Sequence, residues 1–145
     1  MQKFLLLFFF VILPVFIGCS NKVKVSGHVK FTDGEPVTLG EVCFGTKDRT
    51  YFGRINKNGY YTLGEIKDGD GIPPENYTVW LSGTVLSEPI LDQNNDETGK
   101  FKEIELVDRK YTEQKVSTLT FEVKHGVNKF DFTVERPISN NKIKR

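Results

Sequence analysis

The stretch Val23-Lys24-Val25-Ser26-Gly27-His28-Val29-Lys30-Phe31 places Val23, Val25, Val29 and Phe31 at period two, on one face of an extended chain. Lys24, Ser26, His28 and Lys30 point the other way, so the segment predicts a half-buried β-strand. Thr32-Asp33-Gly34-Glu35-Pro36 ends it with an Asp-Gly turn. Downstream, Glu41 to Gly45 and Thr50 to Ile55 predict two further strands. Asn56-Lys57-Asn58-Gly59 then signals a hairpin, because Asn and Gly accept the positive φ of tight turns. Tyr60 to Ile66 follows as a fourth strand and Lys67 to Pro74 as a breaker-rich loop. In Asn76 to Val85, Tyr77, Val79 and Leu81 alternate with Thr78, Trp80 and Ser82. Leu86 to Glu103 is polar and shows no clear period. Ser117 to Lys124 and Lys129 to Glu135 predict a last pair of strands, turned by His125-Gly126-Val127-Asn128. No segment sustains an apolar stripe at helical spacing. The expected fold is all-β, a seven-stranded antiparallel β-sandwich over residues 23–136, with residues 137–145 a polar disordered tail.

Ahead of this domain, Met1-Gln2-Lys3 leads into an unbroken apolar run of 14 residues, Phe4 to Ile17, and then Gly18-Cys19-Ser20. One positive charge, a short apolar stretch and a small residue before a cut site are the parts of an export signal. The run is shorter than the ~20 residues a spanning helix needs, and Pro14 interrupts it. Phe16-Ile17-Gly18-Cys19 resembles the lipobox of bacterial lipoproteins, with Phe16 in place of the usual Leu. The resemblance implies cleavage between Gly18 and Cys19, a diacylglycerol in thioether linkage on Cys19, and acylation of the new amino group. Residues 19–22 then form a lipidated tether. Each buried methylene contributes about 0.8 kcal/mol, so two or three acyl chains make a firm anchor. Ser20 follows the cysteine instead of the Asp associated with inner-membrane retention. The resemblance therefore favours the outer membrane of the cell envelope.

Of 145 residues, 127 remain after the 18 ahead of the cut, enough for one domain with its own core. The chain has 20 Lys and Arg against 19 Asp and Glu; the leader holds Lys3 and no acid, so the mature chain is formally neutral. A neutral chain has no basic excess to recruit nucleic acid. With Cys19 lipidated, Cys43 has no partner for a disulfide. It sits in the apolar stretch Glu41-Val42-Cys43-Phe44-Gly45 and is expected to be a buried thiol.

The order of motifs resembles carboxypeptidase-regulatory-like, or transthyretin-like, domains. Val25-Ser26-Gly27-His28-Val29, Asp33-Gly34-Glu35-Pro36-Val37 and Gly40-Glu41-Val42-Cys43-Phe44 match the family's opening. Asn58-Gly59-Tyr60-Tyr61 matches its aromatic turn, and Gly71-Ile72-Pro73-Pro74-Glu75-Asn76-Tyr77-Thr78-Val79 its Pro-Gly-x-Tyr-x-Val, with Glu75-Asn76 where Gly is common. Lys110-Tyr111, Ser117 to Val123 and Gly126 to Phe132 are similar to small lipoproteins of this type found widely in Planctomycetes. The resemblance covers nearly all of residues 23–135. It implies a prealbumin-like (Ig-like) fold, with Tyr77 and Phe132 filling the sandwich, and an accessory role. A fold shared this widely supplies no chemistry by itself.

Asp92, Asn94, Asp96 and Glu103 fall at positions 1, 3, 5 and 12 of an EF-hand-like frame, a weak calcium candidate. Glu97 stands where that frame needs Gly, and no flanking helices are evident. His28 and His125 lack metal-ligand spacing. The chain ends Asn141-Lys142-Ile143-Lys144-Arg145, without the Tyr-Arg-Gly-Ser ending of transthyretin-like hydroxyisourate hydrolases. With no nucleophile–base motif visible, a hydrolase is the least favoured reading and no cofactor is implied. Trp80 alternates with the Tyr77, Val79 and Leu81 set, so it faces outward, a candidate ligand surface or the cover of a second sheet. The expectation is a monomeric, non-catalytic module tethered to the membrane, with an unknown protein or glycan partner. The alternative is a lipoprotein that recognises a glycan or peptide through strand edges or residues 86–103.

Overall fold

The computed structural model describes residues 21–138. The expected signal peptide, its cleavage site at Gly18 and Cys19, and residues 139–145 of the expected tail lie outside the described residues. Ten strands follow in order: β1 (Val25–Phe31), β2 (Glu41–Gly45), β3 (Thr50–Arg54), β4 (Tyr60–Thr62), β5 (Asn76–Ser82), β6 (Val85–Leu91), β7 (Glu97–Glu105), β8 (Leu119–Glu122), β9 (Asn128–Lys129) and β10 (Phe132–Val134). One 3-10 turn, Arg109–Tyr111, is the only helical element among the described residues. The all-β expectation holds, but ten strands replace the seven expected, because residues 85–105 form two more and the last expected strand is split into β9 and β10.

The strands form three sheets. β3-β2-β5-β8 is antiparallel throughout, and β6-β7 is a separate antiparallel hairpin. The third sheet is mixed. β1 pairs antiparallel with β4 on one side and parallel with β9 and β10 on the other. The fully antiparallel expectation therefore fails along one edge of β1. Val25↔Asn128 and Val29↔Phe132 share one register, so β9 and β10 are a single edge interrupted at Phe130 and Asp131.

Gly27 lies at this interruption, and a Cβ there would run into the Phe130 carbonyl. Glycine lets the two backbones approach. Next along β1, the His28 N–H donates to the Asp131 carboxylate at 2.8 Å.

Two sequence expectations about pairing are corrected. The segments around β8 and β10 are not partners: β8 pairs with β5 and β10 with β1. Both carry one apolar face, and each sheet has a free edge, so the turn at residues 125–128 carries the chain from one sheet to the other. The Asn56–Gly59 turn forms, with Gly59 at φ +76° and its N–H donating to the Asn56 carbonyl at 2.9 Å. It too crosses between sheets, because β4 leaves β3 to pair His28 with Tyr60.

The two larger sheets bury their inner faces in one core. Phe44 of β2, fully buried, contacts Tyr61 and Phe130 from one sheet and Tyr77 and Phe121 from its own, at ring-centroid distances of 5.8–6.5 Å. Phe121 and Phe130 stack at 4.5 Å and Phe130 and Phe132 at 5.0 Å, so an aromatic column ties the sheets together. Val25, Val29 and Phe31 are buried on β1, and Tyr77, Val79 and Leu81 on β5, the faces expected from period two. The buried hydroxyls are satisfied: Tyr61 donates to the Phe130 carbonyl and Tyr77 to that of Pro73, both at 2.8 Å.

Candidate functional site

The hairpin β6–β7 stands apart from the core. Both strands pair only with one another, and every residue of β6 is exposed. At about 3.4 Å per residue its seven-residue strand makes an arm about 24 Å long. Leu86 opposite Ile104 and Pro89 opposite Phe101 are its cross-strand apolar pairs. Val85, Leu86, Ile90, Leu91 and Phe101 are all exposed, Phe101 at 63%. The Leu86–Ile104 and Pro89–Phe101 pairs lie on opposite faces of the hairpin, so the arm exposes apolar side chains on both. The sequence shows no period here, and the register shift between Pro89 and Leu91 is one cause. The other is that both faces of the arm meet solvent and each mixes apolar with polar side chains, so no alternation results.

The calcium frame maps onto this arm. Asp92 to Asp96 form its tip, where Asn95 adopts φ 64° and Asp92 Oδ1 accepts from the backbone N–H of Asn94 and Asp96 at 2.7 and 3.0 Å. Glu103 lies back along β7 opposite Ser87, which is five residues or about 17 Å of strand from Asp92 at the tip. Asp92, Asn94 and Asp96 are thus brought together, but Glu103 is not, because a hairpin has replaced the 12-residue loop. Among the described residues no group of three or more His, Cys, Asp or Glu side chains is placed to hold a metal ion.

Trp80 is half-buried on the outer face of β5. A Cβ on Gly45 would meet its ring at 2.5 and 2.6 Å, so Gly45 leaves the space the indole occupies. The Gln114 side chain crosses the same spot and donates to the Thr46 carbonyl at 2.9 Å. An open polar groove of about 410 Å³ lies beside it, lined by Thr46, Glu75, Asn76, Thr78, Gln114 and Thr120 but not by Trp80. The indole covers its own sheet.

Cys43 is buried on this outer face, in register with Phe52 on one side and Trp80 on the other. It lies outside the core cluster that Val42 and Phe44 join. Burial, with Glu41 nearby, pushes its thiol up to about 12, so the neutral form prevails.

One charged cluster escaped the sequence reading. Parallel pairing brings Asp131 to His28, 103 residues away, with His28 Nδ1 3.4 Å from its carboxylate. Lys129 Nζ contacts the other carboxylate oxygen at 2.8 Å, and the Tyr60 ring lies 5.2 Å from the imidazole. Lys129, and after it the His28 N–H, hold the Asp131 carboxyl below the usual range. The hollow here, about 380 Å³, is lined by His28, Lys30, Lys129, Asp131, Phe132 and Thr133. Asp131 is engaged with Lys129 and the His28 backbone, so it acts as a clasp on the parallel edge. Only long-range pairing could have revealed it. His125 sits on the turn beside β9 and joins no such cluster.

No protein-family model matches the chain, and no curated protein matches it either. Among solved structures, a 9R-lipoxygenase from Cyanothece PCC8801 aligns over 83% of this chain and 18% of its own length, at 14% identity and a TM-score of 0.37. The chain thus spans under a fifth of that enzyme.

Proposed function

We propose that the chain is a membrane-anchored envelope lipoprotein carrying a non-catalytic β-sandwich of the transthyretin-like, carboxypeptidase-regulatory-like kind. It serves as an accessory or adhesion module, with the outer membrane the favoured location. The Cys19 lipobox supports the anchor, and the two sheets packed on one core support the sandwich. No helix among the described residues is long and apolar enough to cross a membrane.

One observation carries the reading: the chain enters the fold at one end and the apolar arm leaves at the other. Val23 bridges Ile72, four residues before β5 starts at Asn76. The arm springs from Thr84 and Leu106, beyond the far end of β5, where the Leu106 N–H donates to the Thr84 carbonyl at 2.9 Å. β5 separates the ends by about 20 Å of strand. A lipid at Cys19 would therefore point the arm away from the membrane, toward a partner. The exposed edge of β7 favours a second reading, recognition of an extended peptide by strand addition.

The test is crosslinking and pull-down from native envelopes, comparing the intact chain with a Leu86→Ser, Ile90→Ser, Phe101→Ser variant. The proposal expects a discrete partner that the variant loses. Equal recovery by both chains would count against the arm as the binding surface.

A further inference from the structure

We infer that the end of the domain carrying Ile66 and Val127 rests on the bilayer surface, with both side chains in the headgroup layer; this rests on the lipid anchor at Cys19 proposed above. Ile66 is 87% exposed and Val127 99%, the highest exposures among the large apolar residues described. They lie far apart in sequence, yet both tip loops that flank the point where the chain enters the fold.

The entry point holds both loops. Val23 exchanges backbone hydrogen bonds with Ile72, and Lys22 pairs with Glu65 and, at 4.0 Å, with Asp70. Asp70 in turn accepts the N–H groups of Glu65 and Ile66 at 2.7 and 3.2 Å, which fixes the Ile66 loop beside the entry. On the other side Val25 pairs with Asn128, whose side chain closes the 124–128 turn through the Lys124 and Gly126 carbonyls at 2.7 and 3.1 Å. Val127 is the tip of that turn.

The tether keeps the entry point within about 8 Å of the headgroup layer even when fully extended. Four residue steps separate Cys19 from Val23, at most about 14 Å of extended chain. A diacylglyceryl group fixes Cys19 near the boundary of the hydrocarbon, and the headgroup layer above it takes about 6 Å. Two apolar tips beside that entry point come within reach of the bilayer surface whenever the tether is less than fully extended. Lys22 and Lys124 are paired with Glu65 and Glu122, while Lys24 and Lys67 are exposed beside the two tips, form no ion pair among the described residues, and add attraction to anionic headgroups. The occupant is the phospholipid surface itself, engaged through the two apolar tips with these lysines at its headgroups.

The experiment uses the full mature chain, purified with its native modification and reconstituted in phosphatidylethanolamine–phosphatidylglycerol vesicles. Spin labels are placed at Ile66→Cys, Val127→Cys and, as a control on the arm, Glu88→Cys; all three positions are exposed, and Cys43 is buried. Oxygen accessibility relative to a water-soluble nickel chelate should be several-fold higher at 66 and 127 than at 88. Equal, water-like values at all three, in a chain whose mass shows lipid on Cys19, would overturn the apposition and leave the lipoprotein reading standing. A mass without lipid on Cys19 would instead remove the tether, and both readings with it.

Discussion

Val23 and Ile72 exchange backbone hydrogen bonds, at 2.9 Å from the Val23 N–H and 3.0 Å from the Ile72 N–H. This bridge locks the chain into the fold at Val23. The Lys22 contacts with Glu65 and Asp70 brace it from outside.

The acid side of stability should report on that brace. The Asp70 carboxyl is held below its ordinary range, first by the Glu65 N–H, then by that of Ile66 and by Lys22. A carboxyl lowered on folding contributes stability above its unfolded value, near pH 3.9, and loses it as pH falls through the folded value. Chemical denaturation between pH 5 and about pH 2 should show Asp70→Asn with a flatter acid dependence than the parent. Parallel curves would show that Asp70 is not coupled to folding.

The aromatic column predicts where the core is least tolerant. Phe44→Ala removes a fully buried ring that touches four others, and should cost about 3–5 kcal/mol in urea unfolding. Phe52, 48% exposed on the outer face, should cost much less on the same change. Comparable losses would mean that the outer face carries as much packing as the interior.

Gly27 makes a sharper test of the parallel edge. An added methyl would strike the Phe130 carbonyl, so Gly27→Ala should destabilise by about 1–3 kcal/mol or more. At Gly34 a Cβ meets nothing within 4 Å, and only the strain of φ +91° remains. Gly34→Ala should therefore be the milder of the two in the same assay. Reversed ranks would contradict the close approach of β1 to the Phe130 backbone.

Cys43 should ignore thiol reagents in the native protein and react once urea unfolds it. Its raised value contributes stability below the unfolded thiol's pKa, near 8.5, and this is lost as pH rises toward about 12. Burial raises Tyr61 and Tyr77 in the same direction, adding to the loss from about pH 10 upward. Cys43→Ala should retain more of its stability than the parent between pH 8.5 and 10, measured as the urea midpoint. Rapid native labelling would refute the burial.

These particulars show how far the sequence could be read. Period-two patterning marked the buried faces of β1 and β5, because each meets the core on one side only. The Asn56–Gly59 turn was equally local. Which strands would pair was not legible: alternation places a residue on a face but does not choose its neighbour. For that reason the parallel edge, the His28–Asp131 clasp and the crossing at residues 125–128 appear only in three dimensions. The arm was missed because both its faces meet solvent, and Trp80 pointed outward as expected without lining a groove.

The arm should be dispensable for folding. An isolated two-stranded hairpin is marginal in water, and this one is not packed into the core cluster. Replacing residues 86–104 with a short flexible linker should change the unfolding free energy by under about 1 kcal/mol. A much larger loss would make the arm part of the folding unit.

The proposed anchor depends on Cys19, and intact mass spectrometry of the mature protein from its native envelope reads that residue's state. The expected product is a chain beginning at Cys19 and heavier than its sequence by a diacylglyceryl group, with or without a further acyl chain. A cut elsewhere, or an unmodified Cys19, would contradict the anchor.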